Sequence, residues 1–293
     1  MNTHKINILK KRMRNPFLIL NFSFLIFSAC VRIDVYDTDY PNHGKITLTT
    51  DWSQIGQDIV IPQTYIVQVN DYLTTVSGHT NTIDNLFLPG TYNTYIYNVA
   101  DKITTNGTIA TVAVGNNLAD PMPDRLFTST LSVAIEQNKN HLFTAVMQQQ
   151  VRDLNLVIKT TGDIYDRIEY ITATLSGVAS SLDFANNTHH DAVNIIPVFM
   201  KQADGKWLAA VRLLGITGDE QKLSMTITFA DNSPALIIRE ENIHTRLGDF
   251  NADKRTPLTL SAEVIEIPIN TGFTSTITDW IDGNNGGETG SAE

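Results

Sequence analysis

Leu223, Met225, Ile227 and Phe229 alternate with Ser224, Thr226 and Thr228, and this two-residue rhythm recurs along most of the chain from Lys45 onward. An extended strand points successive side chains to opposite faces, so such a run turns one face to a core and the other to water. Ile46, Leu48, Thr50 and Trp52 share a face in the same way. Further strand-like runs are Tyr65 to Val69, Tyr92 to Val99, Ile109 to Val114, Leu131 to Ile135, Leu142 to Met147 and Leu154 to Ile158. Ile171 to Leu175, Trp207 to Leu213, Leu258 to Val264 and Phe273 to Trp280 continue the series. Threonine abounds, which suits half-exposed strands. Turn chemistry separates the runs at Pro89-Gly90, Asn106-Gly107, Asp120-Pro-Met-Pro123, Asp204-Gly205 and Asn232-Ser-Pro234. One stretch alone has helical spacing, Ile243, Leu247 and Phe250, and Pro257 limits its length. The pattern predicts an all-β protein of sandwich type.

The chain has 293 residues, 42% of them hydrophobic, which is long and apolar enough for two sandwiches rather than one. A boundary is expected near residue 150, where Gln148-Gln-Gln150 interrupts an apolar strand and Leu154 begins another. That places an N-terminal domain over 45–150 and a C-terminal domain over 151–281. The glycine-rich polar end, 282–293, reads as a mobile tail. Thr49-Thr-Asp-Trp52 and Ile277-Thr-Asp-Trp280 echo each other across the two halves.

The first 29 residues differ from the rest. Lys5, Lys10, Lys11, Arg12 and Arg14 precede the apolar run Phe17 to Phe27, with no acid among them. The run is shorter than the roughly 20 residues that a spanning helix needs, so residues 1–29 read as a secretory signal peptide. Ser28-Ala29 stands directly before Cys30, the only cysteine. This arrangement resembles the bacterial lipobox, with Phe27 in place of the usual leucine. It implies that Cys30 carries acyl chains of the palmitate type and becomes the first residue of the mature chain; several such chains, at about 0.8 kcal/mol per buried methylene, would anchor it without a spanning helix. Residues 30–44 then form an acidic linker, and Asp34, Asp37 and Asp39 resemble the export signal of Bacteroidetes surface lipoproteins.

The formal charge is −10, and with five cations in the leader the body is more acidic still. Such a surface repels phosphate backbones, which argues against a nucleic-acid partner. A lone cysteine excludes an intrachain disulfide and any paired-cysteine metal or redox site. No nucleophile elbow, zinc-protease helix or phosphate loop is present, so neither an enzymatic activity nor a cofactor is expected. Asp249-Phe-Asn-Ala-Asp253 opens like a calcium loop, but Lys254 replaces the turn glycine and Leu260 the bidentate carboxylate. His189-His190-Asp191 reads as a solvated loop without further ligands nearby, and Asp163 and Asp166 read as surface-turn residues.

Five stretches together resemble the fimbrillin-associated anchor family (FimB/Mfa type) of Bacteroidales. They are Lys45-Ile-Thr-Leu-Thr-Thr-Asp-Trp52, Asn81-Thr-Ile-Asp-Asn-Leu-Phe-Leu-Pro-Gly-Thr-Tyr92, Ala145-Val-Met-Gln-Gln-Gln-Val-Arg152, Leu213-Leu-Gly-Ile-Thr-Gly-Asp219 and Phe250-Asn-Ala-Asp-Lys-Arg-Thr-Pro-Leu-Thr-Leu260. The resemblance implies two tandem transthyretin-like β-sandwiches and a place in fimbrial assembly and cell adhesion at the outer membrane. Its partners would be fimbrial stalk or accessory subunits, reached by β-strand addition. In such fimbriae stalk subunits lose their first strand to an arginine-specific protease, whereas anchors keep it. No arginine lies between Arg32 and Arg125, so the first strand is out of reach of such a cut, as an anchor requires. A donor strand should alternate to its end. Phe273 to Ile281 does so and the polar tail does not, so either the donor is internal or the subunit does not donate. The alternative function is a surface glycan-binding lipoprotein, for which two or more of the three tryptophans (Trp52, Trp207 and Trp280) and nine tyrosines would have to expose their faces on one side of a domain.

Overall fold

The computed structural model describes residues 42–161, 163–231, 233–269 and 272–283. Cys30, the leader and most of the acidic linker lie outside the described residues. The first part of the chain forms β1 (Lys45–Gln54), β2 (Thr64–Val69), β3 (Tyr72–Ser77), β4 (Thr80–Thr82), β5 (Gly90–Tyr97), β6 (Ile103–Asn106), β7 (Ile109–Val112), β8 (Val114–Gly115), β9 (Leu118–Ala119), β10 (Phe127–Ile135) and β11 (Asn140–Gln149). After it come β12 (Arg152–Thr160), a single helical turn α1 (Ile164–Arg167), β13 (Ile168–Asp183), β14 (Thr188–Ile195), β15 (Met200–Lys201), β16 (Lys206–Leu213), β17 (Lys222–Phe229), β18 (Leu236–Asn242), β19 (Leu258–Ile269), β20 (Gly272–Ile277) and β21 (Ile281–Asp282). The protein is all-β, as the alternation predicts.

Among the described residues these strands make three sheets. The first runs β3-β2-β5-β10-β11-β1-β4. Ile46 and Leu48 of β1, Val67 and Val69 of β2, Ile96 of β5, Val133 of β10 and Met147 of β11 meet in one core. The sheet therefore curls until its two arms face each other. It opens at β10 and β11, which pair only at Phe127↔Gln149 and Thr128↔Gln148. The second sheet runs β15-β16-β12-β19-β20, with β21 also on β19, and the third runs β18-β17-β13-β14-β9-β8, with β7 added to β13 and β6 to β7. Leu154, Leu156 and Ile158 of β12 share a core with Leu223, Met225 and Ile227 of β17, so these two sheets pack face to face. Each such buried side chain contributes about 1.5–3 kcal/mol.

The third sheet joins distant parts of the sequence. β6 to β9 are contributed from between β5 and β10, yet β7 pairs with β13 at Ser181↔Thr111 to Asp183↔Ile109, and β9 with β14 at Asn194↔Leu118. Ala110, Val112 and Ala119 accordingly belong to the core of the later strands. β13 serves two neighbours in turn by bending at Gly177, whose φ of +71° and closeness to the Glu220 carbonyl, 2.4 Å from a Cβ built there, suit only glycine.

Several expectations need correction. His189, His190 and Asp191 lie in β14 rather than in a loop. Their polarity hid a strand whose alternation becomes apolar only at Val193 and Ile195. The helical stripe of Ile243, Leu247 and Phe250 is buried as expected, but only His244–Arg246 is helical, as one 3-10 turn. The echo of Trp52 and Trp280 is not a structural equivalence. β1 pairs in parallel with β11, and the strand placed likewise later is β12, parallel to β19, whereas Trp280 follows β20 outside any strand. The strand expected over Phe273 to Trp280 ends at Ile277, and Ile281–Asp282 resumes as β21 on β19.

The turn from β11 to β12 carries a buried cation. Arg152 is 6% exposed and donates from Nε to the Thr256 carbonyl at 2.7 Å and from Nη1 to the Asp249 and Phe250 carbonyls at 3.0 and 3.1 Å. Its guanidinium lies 5.1 Å from the centre of the Phe250 ring. Arg152→Met should cost on the order of 3 kcal/mol in urea unfolding, because three carbonyls lose a charged donor. Arg152→Lys should recover only part of this, since an ammonium lacks the planar fork.

Candidate functional site

An extended segment can be added to a sheet only where an edge is free. β1 is held on both sides. It pairs with β11 from Lys45↔Asn140 to Asp51↔Val146, and with β4 at Thr47↔Thr82, Leu48↔Asn81 and Thr49↔Thr80. Hydroxyl contacts Thr47–Thr82 at 3.0 Å and Thr49–Thr80 at 3.1 Å cross the second seam. On the inward face Ile46, Leu48 and Thr50 are buried, so β1 is an interior strand with its apolar side plugged into the core.

Free edges lie elsewhere. Among the described residues, beyond the two shared pairs, β10 from Ser129 to Ile135 and β11 from Asn140 to Met147 have no ladder partner on the side where they part. Neither stretch carries an acidic side chain, a lysine or an arginine, the usual guards of an exposed edge, and Leu142 is 71% exposed beside them. The outer edge of β18 is free as well, but Arg239, Glu240 and Glu241 guard it. Ile196 to Phe199 link β14 to β15 without a ladder partner, and Pro197 lacks a donor there. A groove of about 830 Å³ crosses the outer face of β13, β17 and β18, floored by Thr172, Thr174, Ser224 and Thr226, with Ile196 and Ile237 at its rims.

A polar cluster surrounds the turn between β11 and β12. Gln149 accepts from the Gly56 amide at 3.0 Å and donates to the Val151 and Lys254 carbonyls at 2.8 and 2.7 Å. Lys254 donates to Gln150 Oε1 at 2.7 Å and Asn187 Oδ1 at 3.0 Å, and burial pushes its ammonium down to about 8. Asn251 both accepts from the Ile216 amide and donates to its carbonyl, which pins the segment 249–253 as a turn. His189 sits against Gly215, where a Cβ would come within 2.2 Å of the ring. Burial first, then the charge of Lys254, pushes its imidazole down to about 4.

The remaining sequence candidates are dispersed. Trp207 and Trp280 are buried. Trp52 meets Phe127 edge-on at 5.6 Å and donates to the Thr50 hydroxyl at 3.0 Å, so the three tryptophans form no common platform. Asp163 precedes α1 and Asp166 lies within it. Arg125 is held by Asp153 at 2.6 Å. The free edges and the buried glutamines are not visible as sites in the sequence. An edge shows only as an absence of pairing, and Gln148-Gln-Gln150 reads equally well as an exposed linker.

A family model described as fimbrillin-A associated anchor proteins Mfa1 and Mfa2 matches residues 89–285. No curated protein matches the chain. Among solved structures, a candidate adhesin of Bacteroides ovatus superposes with a TM-score of 0.56 at 13% identity, covering 82% of this chain and 96% of that one. Another, from Bacteroides ovatus ATCC 8483, gives 0.53 at 14%, covering 89% and 95%. The fimbrial anchor protein Mfa2 of Porphyromonas gingivalis gives 0.52 at 9%, covering 82% and 96%. Identities this low speak for a shared fold and not for shared chemistry.

His189 generates a pH dependence. In the unfolded chain its imidazole titrates near 6.5 and in the folded chain near 4. Between those values the unfolded chain binds the additional proton, so this group's contribution to stability falls as pH drops from about 6.5 to 4 and changes no further below. Urea midpoints measured across this window should fall more steeply for the natural chain than for His189→Gln.

Proposed function

The chain belongs to the family of fimbrillin-A associated anchor proteins, and from that premise we propose that it is a lipid-anchored anchor or accessory subunit of a fimbrium. In this reading Cys30 is acylated and holds the protein at the outer face of the outer membrane. The body comprises two tandem transthyretin-like units, 45–150 and 151–281, with β6 to β9 crossing from the first to complete the sheet of the second. Other subunits join by β-strand addition, and the uncharged free edges of β10 and β11 are where an extended strand would pair. The protein performs no catalysis and binds no nucleic acid; its work is attachment.

The observation that carries the anchor reading is the setting of β1. It is hydrogen-bonded on both sides and plugged into the core, and the sequence offers no arginine between it and Arg125. A polymerising stalk subunit would gain from a first strand that can be cut away; a permanent anchor gains from one that cannot. The glycan-binding alternative needs an exposed aromatic platform, which the settings of Trp52, Trp207 and Trp280 do not supply.

Cys30→Ala should abolish labelling by a fatty-acid probe and move the protein out of the outer-membrane fraction. Retention in that fraction without acylation would overturn the lipid anchor. Capture with the tagged full chain from cell-surface material should recover fimbrial subunits. Recovery of oligosaccharide alone would replace the fimbrial reading with the glycan-binding one.

A further inference from the structure

We propose that the parallel pair β1–β11 is a mechanical clamp, which carries tension between the N-terminal attachment and the rest of the molecule in shear. The physiological direction of the load rests on the tether reading above; the geometry of the clamp does not.

The ends of the pair define its loading. β1 begins at Lys45, beside the turn that joins β10 to β11, where the Asn138 amide donates to the His43 carbonyl at 2.6 Å and the Lys45 amide to the Lys139 carbonyl at 2.9 Å. β11 ends at Gln149, at the opposite end of the same ladder, where the chain passes through Val151 into β12. The N-terminal attachment thus pulls β1 from one end, while everything after residue 149 pulls β11 from the other. Because the two strands run parallel, these forces slide one along the other and load the whole ladder together. An antiparallel pair with both loads at one end would open one rung at a time.

Sliding is resisted in three further ways. The side chains of Ile46, Leu48 and Thr50 are buried, so a displacement along the strand must drag them across the close-packed core. A slip of one residue would turn them outward and Lys45, Thr47 and Thr49 inward. On its other side β1 is held by β4 and the two threonine contacts, and on the β11 side Thr47 donates to Asn140 Oδ1 at 3.1 Å.

The turn after β11 is not a weak link in series. The chain crosses there three times, after Tyr97, after Ala119 and after Gln149, because β6 to β9 belong to the third sheet. The cluster around Gln149 and Arg152 adds side-chain bonds, and Arg255 donates to Gln54 Oε1 at 3.2 Å across the same turn. Tension therefore concentrates, among the described residues, on β1 and on the bonds that His43 and Gly44 make just ahead of it to Asn138 and Phe87.

Single-molecule pulling on the full mature chain tests this, with Cys30→Ser so that introduced thiols set the points of attachment. In one geometry the handles are His43→Cys and the C-terminal residue, which loads the ladder in shear. In the other they are His43→Cys and Lys139→Cys, which lie at the same end and peel the strands apart. The expected result is a rupture force severalfold higher in the first geometry, with release of β1 as its first event. Equal forces in the two geometries, or unravelling of β12 to β21 before β1 in the first, would overturn the clamp. Both handle sites are at the surface end of the sheet, and urea unfolding of each doubly substituted chain verifies that it is folded. Because neither geometry involves acylation or a fimbrial partner, loss of the clamp leaves the anchor reading standing, and loss of the anchor reading leaves the clamp.

Discussion

The buried guanidinium of Arg152 sets the constraint around which the molecule is joined. A charge removed from water must be met by polar partners or it destabilises the fold. Here the partners are three carbonyls of one loop, those of Asp249, Phe250 and Thr256. Satisfying the cation fixes that loop against the start of β12. The loop in turn brings Lys254 to Gln150 and Asn187, the Lys254 carbonyl to Gln149, and Asn251 to Ile216. One charge thereby ties the end of β11, the start of β12, the approach to β19 and the segment after β16 into a single polar knot.

Two parallel pairs give the fold its direction. β1 lies along β11 and β12 along β19, so the first strand of each part lies beside one from near that part's end. Parallel strands need long connections between them, and the intervening hairpins are what fill the rest of each sheet. The hairpins β6–β7 and β8–β9 depart from that economy by extending a sheet built from later strands. Their small buried residues, Ala110, Val112 and Ala119, allow close approach to β13 and β14. For a protein whose family anchors fimbriae, a body with several covalent crossings and an interior first strand suits a part that must hold rather than turn over.

The strands most legible in the sequence are those with one wet face. β17 is the clearest, because Leu223, Met225, Ile227 and Phe229 are buried and the residues between them are not. β14 is hard to read because its first half is polar on both faces, and the imidazole of His189 is half-buried only because Gly215 passes beside it. β18 is short and carries Arg239, Glu240 and Glu241, which speak of an edge and equally of a loop. The polar knot was visible only as the motif from Ala145 to Arg152 and that from Phe250 to Leu260. Nothing in the spacing of either reveals that the two meet.

The amino-acid sequence alone determined that the chain is all-β, which faces of most strands are buried, and that no arginine lies between Arg32 and Arg125. These follow from local rules, a two-residue period and the positions of one residue type. Only the tertiary structure decided that β6 to β9 complete a sheet of the later strands, that β10 and β11 part to leave free edges, and that β1 is gripped on both sides. Pairing and register join residues scores of positions apart, and such contacts are chosen by how whole sheets pack, not by any pattern within one segment.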